Sequence, residues 1–221
     1  ARTGMTTSIL RNAASELFDG HGREKVQCSV VAGAPLAEIL RSARNRDVDL
    51  IIFGRRAGER GASSFSRRVA TKARCSVLVL PDAAKPGWKR ILVPARNSEC
   101  SANALAAACA MGAATGSEVL CLNVYQVRSG YLSVGTSLDQ HVSILGDCAR
   151  RECEKLRDSV NSAGANVRIK CMSDLYRKPV PIMLNQIEAE SADLLVIGAH
   201  GRGGIAGIIH TAVTEKMIRQ S

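Results

Sequence analysis

One short pattern occurs twice at a fixed distance. Asp49-Leu-Ile-Ile-Phe-Gly54 and Asp193-Leu-Leu-Val-Ile-Gly198 stand 144 positions apart. The register holds without a gap from Pro35 and Pro179, through Leu40 and Leu184 and Val69 and Val213, to Lys72 and Lys216. Chance does not readily keep one register over that length, so the chain reads as two copies of one unit. The separation far exceeds a solenoid repeat, which makes each copy a domain. Between them Pro81-Asp-Ala-Ala-Lys-Pro86-Gly87 has the composition of a linker. The expected division is 1–82 for the first domain, 83–87 for the linker and 88–221 for the second.

Within each copy, short runs of Val, Ile and Leu alternate with helical patterns. The first copy predicts a helix ending near Phe18, a strand at Val26–Val31 and a helix at Pro35–Arg44. A strand at Leu50–Phe53, a helix near Ser64–Ala73 and a strand at Val77–Leu80 follow. The second predicts strands at Arg90–Val93, Val119–Val124, Val167–Met172 and Leu194–Ile197. Its helices fall near Ser101–Thr115, Leu138–Ala163, Pro181–Glu190 and Ile205–Arg219. Strands apolar on both faces and separated by helices mean an α/β fold with a parallel sheet covered on both sides. Gly116 is placed to end the small-residue helix before it.

The copies are cut differently. The first lacks a counterpart to Lys89-Arg-Ile-Leu-Val-Pro94 and the two elements after it, and the second stops at Ser221, level with Val77. The expectation is a trimmed part of a longer chain, its first copy without its front and its second without its last strand.

Composition narrows the function classes. The 46% apolar content supplies real cores, and no apolar run reaches membrane-span length. Eight cysteines form no CxxC pair, and the four histidines show no ligand spacing near them. They read as free thiols of a reducing compartment, hence cytoplasm, with no metal expected. The net charge of +10 favours anionic partners. Aromatic content of 3% argues against single-strand binding by stacking, and no zinc-finger or helix-turn-helix signature points to a specific nucleic acid.

The chemistry-bearing stretch is Asp193-Leu-Leu-Val-Ile-Gly198-Ala-His200-Gly201-Arg-Gly203-Gly204. A strand that breaks into glycines before a helix leaves free N–H groups at the positive end of that helix, where a phosphate can sit. The glycines admit close approach of the backbone; they also suit a plain strand-to-helix turn. In open sheets ligands bind beyond the carboxyl ends of strands, where strand order reverses. The loop Pro94-Ala95-Arg96-Asn97-Ser98 should meet the Gly198–Gly204 loop there.

These residues resemble the universal stress protein family. The carrying parts are Arg90-Ile-Leu-Val-Pro94 with Asn97-Ser98-Glu99, Gly33-Ala-Pro35-Leu-Ala-Glu38-Ile-Leu40, Asp193 to Gly201, and Val213-Thr-Glu215-Lys216. The resemblance covers nearly the whole chain as two tandem doubly wound, Rossmann-like domains. It implies parallel strands in the order 3-2-1-4-5, pairing of domains and, in some members, ATP binding. The ATP motif of such members is Gly-x-x-Gly, nine residues, then Gly and Ser or Thr. Gly198 and Gly201 match its first half; Thr211 and Ala212 stand where the second half belongs. An acidic residue expected after the first strand is replaced by Arg96, which cannot accept a ribose hydroxyl proton but can pair with a phosphate. Val124 matches the position whose backbone meets adenine.

The first copy has lost the motif. Gly54 is followed by Arg55-Arg56-Ala57. The basic residues Arg55, Arg56, Arg60, Arg67, Arg68, Lys72 and Arg74 there read as a solvated helix face ahead of an anion surface.

The expected nucleotide site is therefore Pro94, Ala95, Arg96, Val124, Gly198, His200, Gly201 and Thr211, with ATP as ligand. His200 and His210 read as polar loop and surface residues. Cys100 stands at a helix start, where the dipole can lower a thiol pKa, but it reads first as an inert cysteine. Asp174, Arg177 and Lys178 read as rim charges. No catalytic set with a local signature appears, and hydrolysis of ATP lacks a clear carboxylate for metal or water. The reading is a binding protein, not an enzyme, that acts in stress response through nucleotide occupancy and through self-association or domain pairing. The alternative is a cytoplasmic regulatory domain of a transporter or other larger chain, without nucleotide binding.

Overall fold

The computed structural model describes Ser8, Asn12 and residues 26–55, 64–82, 84, 87–127, 135, 137–160, 164–176 and 178–198. Its elements are α1 (Pro35–Asn45), β1 (Leu50–Arg55), α2 (Ser64–Lys72), β2 (Ser76–Pro81), β3 (Arg90–Pro94), α3 (Glu99–Thr115), β4 (Glu118–Gln126), α4 (Leu138–Ser159), β5 (Val167–Asp174), α5 (Pro179–Ala189) and β6 (Leu194–Leu195). The predicted helices before Phe18 and after Ile205 lie outside the described residues.

In the first half β1 and β2 pair in parallel, from Leu50 opposite Ser76 to Arg55 opposite Pro81. Pro at the first turn presets the backbone of α1, and Glu38 in that turn suits the positive end of the helix dipole. Along α2, Val69 is fully buried, and Phe65 meets Phe53 of β1 edge-to-face with ring centroids 5.7 Å apart. Residues 26–31, predicted as a strand, form none, and Val26 and Val31 are exposed. A strand exists only against a neighbour that takes its N–H and C=O groups. The described ladder of β1 runs to β2 alone, so residues 26–31 join no sheet among the described residues.

The second half is a parallel sheet in the order β5-β4-β3-β6. Its apolar pattern has period two. Ile91 and Val93 of β3, with Val119 and Cys121 of β4, face α3 and α4. Leu92, Leu120, Leu122 and Val124 face the opposite way, onto Val180 and Met183 of α5. Helices cover both faces, which makes the unit a doubly wound α/β domain. Gly116 ends α3 as expected: its φ of 73° is left-handed, and its N–H donates to the Gly112 carbonyl. Ser137 and Gln140 start α4 with a reciprocal capping box.

Charges hold the amino edge of this sheet. The Asp193 carboxylate accepts the N–H groups of Lys89 at 2.8 Å and Arg90 at 3.1 Å. Glu190 accepts from Arg168 at 2.5 Å and Lys170 at 2.6 Å, while its own carbonyl accepts from the Arg90 guanidinium at 2.7 Å. Hydrogen bonds from Arg168 and then Lys170 hold the Glu190 carboxyl down at about 2. A carboxyl depressed in the fold stabilises it above the unfolded pKa, and that contribution is lost as pH falls through the folded value.

Two outcomes follow. Glu190→Gln should lower stability by about 1 kcal/mol at pH 7. Calorimetry should show the gap from wild type shrinking as pH falls from 4.5 toward 2. Gly112→Ala should destabilise despite the better helix propensity of alanine. Its Cβ would stand 2.9 Å from Val119 Cγ2 and 3.0 Å from the Ser117 carbonyl oxygen. Overpacking of that kind costs about 1–3 kcal/mol, read as a lower Tm.

Candidate functional site

The crevice of an open parallel sheet lies between neighbouring strands whose connections leave in opposite directions. Here these are β3 and β6. β3 leads through α3 to β4 on one side, and β6 on its other side is reached from β5 through α5.

The loop after β3 is pinned from inside. Ala95, 2% exposed, donates its N–H to the Leu122 carbonyl at 2.8 Å. Arg96 donates its N–H to Ser101 Oγ at 3.0 Å. Ser98 caps α3: its Oγ accepts the Ser101 N–H at 3.2 Å and donates to Ser101 Oγ at 3.0 Å. Two serines thus tie Arg96 to the first turn of α3 while its side chain stays exposed.

The strand on the other side of the crevice is shorter than predicted. β6 covers Leu194–Leu195, and Val196 adds one further bond, its N–H to the Leu92 carbonyl at 2.9 Å. The chain then seats Gly198 on the first turn of α3. A Cβ on Gly198 would lie 2.7 Å from the Cys100 carbonyl carbon and 3.1 Å from its Cβ. Gly198 is therefore a glycine because two backbones of the protein meet there. That requirement is internal to the fold and holds whether or not a phosphate sits beyond it.

Pro94, Ala95, Arg96 and Gly198 converge on the amino end of α3. Val124 stands on the neighbouring strand, its side chain buried with Val180 and Met183 on the α5 side. His200, Gly201 and Thr211 lie outside the described residues, as does Arg177. Of the basic run between Arg55 and Arg74, Arg56 and Arg60 lie outside them too.

One alternative falls away and one reading is corrected. The thiol of Cys100 is not activated by the helix start: burial, and then the Glu99 charge beside it, push its pKa up. Asp174 is not a rim charge. It is fully buried, and its Oδ1 accepts the N–H groups of Tyr176 at 3.1 Å and Lys178 at 2.9 Å. Its Oδ2 is buried without a hydrogen-bond partner among the described residues. The exposed side chains beside it are Leu175 and Tyr176. Sequence reasoning missed Ser101, which holds the Arg96 loop. Its signal was the Ser98-x-x-Ser101 spacing at a helix start.

Among the described residues no group of three or more His, Cys, Asp or Glu side chains is arranged to hold a metal ion. None of the described helices is long and apolar enough to cross a membrane.

Comparison with solved structures places this architecture. A functionally unknown protein from Pseudomonas aeruginosa PAO1 superposes with a TM-score of 0.67 at 15% identity, over 96% of this chain and 73% of that one. A universal stress protein from Archaeoglobus fulgidus DSM 4304 gives 0.63 at 19% identity, over 97% and 72%. A universal stress protein solved in complex with cAMP gives 0.48 at 20% identity, over 61% and 92%. A search of curated proteins finds no match. The model of the Universal stress protein family matches residues 7–81 and again 87–221. Two matches that together span nearly the whole sequence, on a doubly wound α/β fold, settle the kinship: the chain belongs to the universal stress protein family.

Proposed function

We propose that the second domain, 88–221, binds an anionic nucleotide, ATP in the first instance, at the crevice between β3 and β6. On this reading the protein acts by occupancy and not by turnover. The observation that carries the reading is the placement of Arg96: an exposed guanidinium at the switch point, on a loop held rigid by Ser98 and Ser101. A guanidinium presents five donors in a fixed fork suited to phosphate oxygens, and a pinned loop spends little entropy on ligand capture. The site proposed is Pro94, Ala95, Arg96, Val124, Gly198, His200, Gly201 and Thr211. A filled crevice would favour one arrangement of the Gly198–Gly204 loop and so bias a surface used for domain pairing, self-association or partner binding. Cytoplasmic residence suits eight thiols that form no disulfide among the described residues.

Release of bound nucleotide by denaturation, followed by mass analysis, tests this directly. ATP should be found, and added ATP at a hundredfold excess over Kd should stabilise by about 2.7 kcal/mol. At roughly 2–4 °C per kcal/mol that is a Tm rise of several degrees. Arg96→Glu should weaken binding about tenfold or more, the worth of a charge-assisted hydrogen bond, without lowering the Tm of the free protein. Absence of both carried ATP and a thermal shift would refute the nucleotide reading.

Substitution of Gly198 probes something else. Gly198→Ala should lower the Tm even without ligand, by about 1–3 kcal/mol, because the new Cβ strikes the Cys100 carbonyl.

A further inference from the structure

In the first half, folding joins two basic rows that lie well apart in the sequence. α1 and α2 touch one another, and Phe65 of α2 turns onto Phe53 of β1. Each helix keeps basic side chains on its outer side. Arg41 and Arg44 of α1 stand at i and i+3, and Arg68 and Lys72 of α2 at i and i+4, so each pair shares one helix face. All of these side chains are exposed. β1 and β2 run parallel with Leu50 opposite Ser76. The helices leading into them, one ending at Asn45 and the other at Lys72, therefore finish at the same edge of the sheet. Arg46 and Arg74 follow those helix ends and are exposed too. The acidic groups near them are Glu38, which pairs with Arg41, and Asp47 and Asp49 in the turn into β1. A helix dipole is satisfied by one cation in the last turn. Six exposed basic side chains on and beside two touching helices go well beyond that.

We propose that the outer face of α1 and α2 binds the phosphate backbone of double-stranded DNA without reading its bases. Guanidinium and ammonium groups neutralise phosphates and release the condensed counterions around them. Contacts of that kind fix a protein on the duplex but carry no base information.

The same face disfavours the other polyanions. A single strand is held by stacking its bases on aromatic side chains. Phe65 is the one aromatic residue of the two helices, and it is packed on Phe53. An anionic membrane attracts basic helices that also bury apolar side chains in it. Among the described residues, none of the exposed large apolar side chains belongs to α1 or α2. Duplex RNA is held partly through its 2′-hydroxyl groups, and arginine and lysine offer those hydroxyls no acceptor. The surface belongs to the first half and the crevice beside β3 to the second, so this inference stands without nucleotide binding.

The test is a fluorescence-anisotropy titration of the full chain with a short labelled DNA duplex at several salt concentrations. Engagement of four phosphates gives log K against log salt a slope of about −3.6, which weakens binding roughly a hundredfold between about 50 and 200 mM salt. A duplex of scrambled sequence should bind equally well. Arg68→Gln with Lys72→Gln should flatten the slope by about 2 without lowering the Tm. Arg44→Gln with Arg46→Gln should do the same from α1. Arg150→Gln with Arg151→Gln, an equal change of charge at exposed positions of α4, should leave the slope as it is. The proposal is overturned by absence of binding at low salt, or by a slope that neither first-half pair moves. Tighter capture of the single strand, of an RNA duplex of the same sequence, or of vesicles of anionic lipid would overturn it as well.

Discussion

The second domain is organised around a short strand whose three central residues are shut away from water. Ile91, Leu92 and Val93 of β3 are fully buried, one pair facing α3 and α4 and the middle residue facing α5. A strand buried on both faces has to have neighbours at both edges and helices on both sides, or its backbone and its side chains would be left unsatisfied. That demand fixes the remainder. β4 supplies one edge from Arg90 opposite Glu118 onward, and β6 supplies the other through Leu194 and Leu195. Asp193 clamps the entrance of β3 through two amides, and Val196 holds its exit. The crevice proposed to take a ligand is where the sheet opens on one side of this strand.

The parts of the fold set by local patterning were legible in the amino-acid order. Runs such as Ile91-Leu-Val93 and Val119-Leu-Cys-Leu122 can only be buried strands when helical stretches flank them, and Gly116 can only be a left-handed stop. What was not legible depended on long-range approach. Val26–Val31 has the composition of a strand, yet it joins no described sheet. Gly198 looked like the start of a phosphate turn, and its immediate reason is the backbone of Cys100, almost a hundred residues earlier. Asp174 reads as a surface charge beside Leu175 and Tyr176; only the fold shows that its carboxylate turns inward to accept two amides. The site was half visible for the same reason. The Arg96 loop follows from its own sequence, through the serines at its helix start, whereas the character of the second loop depends on what it touches.

Exposure is distributed unevenly between the two halves. β3 and β4 hide their side chains, while Leu50 and Ile52 of β1 are 45% and 57% exposed, and β1 has a single described neighbour. Where a strand edge is left unpaired, exposed apolar side chains are the ordinary seed of edge-to-edge association between copies. The chain sets Arg55 and Arg56 at the very end of that strand. Charged residues that flank an apolar strand in sequence act as gatekeepers, because like charges oppose pairing of two such strands. Repulsion between like charges of this kind weakens as added salt shortens its reach.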